Sequence, residues 1–165
     1  MAKIDSLKKA HAELVKLGFE ATLREDSVAV KVGGSGQPFA AVITHDAEMG
    51  HFRFTCLLAR LGEVGKHLTK FCVAALDANS RIAPFAYALL TDSDDPSLDD
   101  EKMWPVVLTH AVPLGDLSSS EMESAMRSLV GALLDSRSVL SVLTEADSAK
   151  EPVKEPAKPT KKKKK

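Results

Sequence analysis

The stretch Leu68 to Leu90, LTKFCVAALDANSRIAPFAYALL, changes its hydrophobic period in the middle, and such a switch obliges the chain to set a helix beside a strand. In the first half, Val64, Leu68, Phe71, Cys72, Ala75 and Leu76 recur at helical spacing and form one apolar stripe, with Lys66, His67, Lys70 and Asp77 elsewhere. That stripe is expected to bury itself against a sheet. Beyond Asn79-Ser80-Arg81 and Ala83-Pro84, residues Phe85, Tyr87 and Leu89 alternate with Ala86, Ala88 and Leu90, which makes both faces of the strand apolar. A strand of that kind is usually interior, so an interior position is expected. Asn tolerates the left-handed conformation and bonds local backbone, which suits the stop between the two halves.

The flanking segments supply the rest of a layered fold. Ile4, Leu7, Ala10, His11, Leu14, Val15 and Leu17 predict a first helix over 3–17, with Asp5 and Ser6 as caps and Gly18 ending it. Phe19 to Arg24 and the run through Val28, Val30 and Val32 read as a hairpin turning at Glu25-Asp26. Phe39 to Thr44 is a third strand. Phe52 to Leu58 is a fourth, with Phe52, Phe54, Cys56 and Leu58 on one face and Arg53 and Thr55 on the other. Trp104 to Val112 is a sixth, with Trp104, Val106, Leu108, His110 and Val112 sharing a face. Ser118 with Glu121 then makes a capping box, and Leu117 with Met122 the matching hydrophobic staple. The helix that follows buries Met122, Met126, Leu129, Val130, Leu133 and Leu134, and Asp135-Ser136-Arg137 is expected to kink or divide it. A last amphipathic segment, Val139, Leu140, Val142 and Leu143, is available for packing against the body or against another chain. The order helix, four strands, helix, two strands, helix predicts an α+β domain with an antiparallel sheet of about six strands and helices packed on it.

No stretch supplies a reaction centre. Gly33-Gly34-Ser35-Gly36-Gln37 lacks the Lys-Ser/Thr and the helix start that hold phosphate, and Gln37 stands where a nucleophile elbow needs its second Gly, so it reads as a hairpin turn. His45, Asp46, Glu48 and His51 are the best metal candidates, yet their spacing matches no ligand pattern and a polar turn explains them. The acidic excursion from Asp92 to Glu101 fails as a calcium loop: counted from Asp92, Ser97 occupies the Gly position and Met103 the bidentate Glu position. Cys56 and Cys72 have no metal or redox spacing and read as buried free thiols. His110, His45, Asp46, Glu48 and His51 are the only enzyme candidates, and no nucleophile, base and orienting group fall at telling distances. No metal, cofactor or catalytic residue is assigned.

Charge divides the 165-residue chain in two. The net charge of −1 splits into eight Lys and two Glu in residues 150–165 and 14 basic against 21 acidic residues in the remainder. An acidic body argues against nucleic-acid binding through the domain, because phosphate contacts dominate such affinity. From Ala149 the composition turns to Glu, Pro, Lys and Thr, so residues 149–165 are expected to be a disordered tail behind a domain spanning 1–148. Within it, Lys161, Lys162, Lys163, Lys164 and Lys165 form a mobile positive tether. No run approaches the roughly 18 apolar residues of a membrane span and the first residues do not read as a signal peptide, so a cytoplasmic location is expected.

Three motifs carry a likeness to a known group: Phe71-Cys72-Val73-Ala74-Ala75-Leu76-Asp77-Ala78-Asn79, Phe85-Ala86-Tyr87-Ala88-Leu89, and Val106-Val107-Leu108 leading to Val112-Pro113-Leu114-Gly115-Asp116-Leu117-Ser118 with Glu121. In them, over roughly residues 3–147, the chain resembles the type III secretion chaperone-like superfamily, especially its bacterial YbjN-like branch. The resemblance implies a cytoplasmic bacterial protein, often dimeric, that binds a protein segment and performs no chemistry. The Lys-rich tail is not part of that pattern.

The expected function is therefore a non-enzymatic protein-binding module, chaperone-like or regulatory, self-associating as a homodimer and holding a partner segment. Val139, Leu140, Val142 and Leu143 are the expected partner surface. The alternative is an electrostatic adaptor whose tail tethers the acidic domain to nucleic acid or another anionic surface. A clasp of the tail onto Asp92 to Glu101 is a third use of the same charges.

Overall fold

The computed structural model describes residues 3–33, 38–91, 100–115 and 117–148, with 142–148 described by backbone alone. Residues 34–37 of the expected glycine-rich turn, the acidic stretch 92–99 and the tail lie outside the described residues.

Helix α1 (Leu7–Lys16) starts where the Ser6 side chain accepts the Lys9 N–H and stops at Gly18, whose φ of +87° turns the chain into the sheet. Its apolar face buries Ala10 and Leu14, while Val15, expected in the stripe, is 51% exposed. Strands β1 (Glu20–Leu23), β2 (Ser27–Val32), β3 (Phe39–Asp46) and β4 (His51–Arg60) follow as an antiparallel meander. A register shift between Leu57 and Ala59 then places Ala59 opposite Val106 and leads into the single turn α2 (Leu61–Val64). Gly62 is needed there, since a Cβ at that position would lie 2.9 Å from the Lys102 Cβ.

After a short 3-10 turn come α3 (Leu68–Asn79), β5 (Ala86–Leu89), a second 3-10 turn at Glu101–Met103, β6 (Pro105–Pro113) and α4 (Ser119–Ser148). The sheet order is β1-β2-β3-β4-β6-β5. This is the α+β architecture with a six-stranded antiparallel sheet that the hydrophobic periods predict.

Register explains which side is covered. Val28, Ile43, Phe54 and His110 form one row across the strands, and Val30, Ala41, Cys56, Leu108 and Tyr87 the next. Most of these side chains are fully buried, and Ala10 and Leu14 of α1 with Met122, Met126 and Leu129 of α4 close over them. The opposite face carries the row Thr22, Ala29, Val42, Thr55, Thr109 and Ala86, small or β-branched side chains, none of them fully buried, that no helix among the described residues covers.

The capping box at α4 is formed: the Ser118 N–H donates to Glu121 Oε2 at 2.7 Å and the Glu121 N–H donates to Ser118 Oγ at 3.3 Å. Leu117 and Met122 are buried together in the main core, as the staple requires. The helix neither ends nor divides at Asp135-Ser136-Arg137. No Gly or Pro breaks it there, and the Ser136 hydroxyl satisfies itself by donating to the Ala132 carbonyl at 2.7 Å, so the helix runs on to Ser148.

Candidate functional site

α3 is where the structure departs most from simple amphipathic packing. It buries Phe71, Ala75 and Ala78, which join Ala59, Val64, Val106 and Val139 in a second, smaller core cluster. Leu68, Cys72 and Leu76 of the expected stripe do not follow them inside: Leu68 is 41% exposed, Leu76 is 71% exposed and Cys72 is exposed. Val73 stands out further round the helix at 64%. Helical spacing puts Lys70 and Asp77 on the other flank, so the surface of α3 divides into a buried strip, a charged flank and an exposed apolar flank. The apolar stripe is wider than the neighbours beneath it.

The reason lies in β5. The structure overturns the expectation of an interior strand, because among the described residues β5 is the last strand of the sheet and pairs only with β6. Its apolar faces serve a different end. Tyr87 and Leu89 project on the helix side, and with Leu61, Phe71, Leu76 and Val106 they line a groove of about 190 Å³ between α3 and the sheet edge, with Cys72, Ala75, Asn79 and Ala88 completing its wall. Leu89 is itself 41% exposed.

Two polar contacts fix the groove's geometry. The Tyr87 hydroxyl donates to Ser136 Oγ at 2.8 Å, which ties the edge strand to the middle of α4. Burial of this phenol raises its pKa above the ordinary tyrosine value, so the hydroxyl keeps its proton and remains a donor. On the other side, the Tyr87 N–H donates to Asn79 Oδ1 at 2.7 Å. An Arg81–Asp77 ion pair at 2.5 Å braces the exposed end of the helix. A second recess, of about 360 Å³ beside Phe39, Leu57, Arg60 and Glu63, is less suited to an apolar partner because charged groups stand at it.

The titratable candidates are scattered. Strand alternation sets His45 opposite Phe52 on the core side, with an edge-on ring contact at 5.6 Å, while Asp46 and His51 pair on the outer side. His51 Nε2 stands 3.8 Å from Asp46 Oδ2, beyond hydrogen-bond distance, and Asp46 Oδ1 accepts the Met49 N–H at 3.0 Å as a turn bond. Glu48 is exposed in that turn. Among the described residues, no three His, Cys, Asp or Glu side chains come together as a metal site. His110 packs against the Phe85 ring at 5.2 Å, and loss of hydration lowers its pKa below the ordinary imidazole value. Cys56, on the same face one row away, is no nucleophile: burial pushes its thiol up to about 12.

Of the expected partner surface, Val139 is 2% exposed inside the smaller cluster and Leu140 packs partly against it. The side chains of Val142 and Leu143, and Lys161 to Lys165, lie outside the described residues. What sequence reasoning missed was the α3–β5 groove. Its signal was the excess of apolar positions on α3 and the two-sided apolar character of β5, read instead as burial.

No family model and no curated protein sequence matches the chain. Among solved structures it is similar to a chain of the "Structure of the HopA1-SchA Chaperone-Effector Complex", with a TM-score of 0.51 and 16% identity, over 80% of this chain and 90% of that one. At that identity the likeness is one of fold. The six-stranded antiparallel α+β arrangement of this chain matches the chaperone fold of that one, type III secretion chaperone-like. Among the described residues, no helix is long and apolar enough to cross a membrane.

Proposed function

We propose that the chain is a non-enzymatic, chaperone-like module that holds a segment of another protein and self-associates, and that the contact surface is the apolar flank of α3 with the groove and edge strand beside it. The observation that carries this reading is the exposure of Leu76 and Val73, at 71% and 64%, next to an apolar groove at a sheet edge. Large apolar side chains gathered beside a recess mark protein contact more often than idle surface. The solved chain of like fold comes from a chaperone–effector complex, which supports a protein client for this one. The YbjN-like motifs at Phe71–Asn79 and Phe85–Leu89 support a bacterial, cytoplasmic member of that group, often dimeric.

The test is light-scattering mass over a range of concentration, together with affinity capture by the full chain and by its Leu76→Lys variant. The reading expects concentration-dependent association, and proteins retained by the full chain that the variant loses. A strict monomer that retains nothing contradicts it.

The charge division favours one further use. With eight Lys among residues 150–165 against an acidic remainder, the tail would tether the domain to nucleic acid or an anionic surface. Binding of that kind weakens steeply with salt and disappears on removal of 150–165. Binding that survives the truncation rejects it.

A further inference from the structure

Among the described residues β5 ends the sheet, so one row of its main-chain groups faces away from every other strand described. Ala86, Ala88 and Leu90 point their groups at β6, as the bond from the Leu90 N–H to the Pro105 carbonyl at 3.1 Å shows. Alternation then turns the N–H and C=O of Tyr87 and Leu89 outward. An open row of this kind is a template for joining two chains edge to edge, and natural edges are commonly blunted with charged residues or proline. Ala86-Tyr87-Ala88-Leu89 contains neither. What blunts it instead is Asn79, the last residue of α3, whose Oδ1 accepts the Tyr87 N–H at 2.7 Å. The side-chain amide occupies the place that the carbonyl of a seventh strand would take.

We propose that Asn79 is a built-in block on the β5 edge, which prevents two copies of the chain from pairing strand to strand while leaving the apolar groove open. Edge pairing at β5 has two outward rungs available, one at Tyr87 and one at Leu89. Asn79 removes the first, and the single remaining rung is too little to hold two chains together. The inference goes beyond the partner-binding reading and stands whether or not the α3 flank receives a client.

The test compares the full chain with Asn79→Ala and Asn79→Asp by sedimentation across a wide range of concentration, with hydrogen exchange of the Tyr87 amide measured at dilution. Asn79→Ala, which keeps a good helix former at the end of α3 but removes the acceptor, should speed Tyr87 exchange by roughly tenfold, the scale of one lost hydrogen bond. It should also form larger species beyond those of the unaltered chain as concentration rises. Asn79→Asp keeps an acceptor in place and should behave as the unaltered chain does. Adding Leu89→Pro to Asn79→Ala should abolish the new association, because proline removes an outward N–H without disturbing the bonds to β6. Should Asn79→Ala not fold, Asn79→Ser, whose hydroxyl is too short to reach Tyr87, must show the same gain. The block is overturned if removing the acceptor changes neither exchange nor association, or if the new association persists with Leu89→Pro and so runs through another surface.

Discussion

Replacing Leu76 by Lys separates surface from core within a single helix. Full burial of a Leu side chain stabilises a fold by about 1.5–3 kcal/mol. Leu76 keeps 71% of its area exposed, so less than a third of that value is at stake in the isolated chain. Lys propagates a helix nearly as well as Leu. The expected stability loss is therefore under about 1 kcal/mol. Phe71, five residues earlier in the same helix and 4% exposed, provides the contrast: Phe71→Ala should cost about 3–5 kcal/mol. If another polypeptide covers the remainder of Leu76, its removal forfeits roughly 1–2 kcal/mol of binding, a weakening of about 5- to 30-fold. Urea denaturation followed by circular dichroism measures the first quantity and sedimentation equilibrium the second. A Leu76→Lys chain that loses several kcal/mol of stability, or that associates as tightly as the unaltered chain, refutes the reasoning.

Three further outcomes are expected. Ser118→Ala removes the hydroxyl that caps α4 and should lower stability by about 1 kcal/mol, seen as a lower denaturation midpoint with unchanged slope. His110 has a folded pKa below its ordinary 6.5, so the unfolded chain takes up its proton first; stability should begin to fall as pH drops below about 6.5 and stop falling on this account once the folded value is passed, and a His110→Gln chain should show a flatter denaturation profile over that window. A thiol reagent should modify Cys72 in the native protein and reach Cys56 only after denaturant is added, which mass spectrometry of the labelled peptides can check.

Much of this architecture was legible because it rests on local physics. The switch of period at Ala83-Pro84 marks the end of α3 and the start of β5, and the Ser118-Glu121 box marks the start of α4 to the residue. The site was not legible in the same way. Periodicity records which positions are apolar, not whether a neighbour covers them, so Leu68, Cys72 and Leu76 look in sequence like Phe71 and Ala75. The two-sided apolar strand signals burial only if strands flank it; β5 owes the pattern to a groove on one side and to the small residues Ala86 and Ala88 on the other. Val139 shows the converse. It reads as surplus helix surface, yet α4 continues past Ser136 and delivers it to the cluster under α3. The Asn79–Tyr87 bond joins a helix end to a strand across a turn, and no propensity encodes it.

Hydrogen exchange of the full chain at dilute and at concentrated protein probes the central claim most directly. If the apolar flank of α3 and the groove beside it are where copies of the chain meet, amides in residues 68–79 gain protection as concentration rises, while those of β1 and β2 do not. Protection that appears on the uncovered face of the sheet instead, or an exchange profile that concentration leaves unchanged, contradicts it.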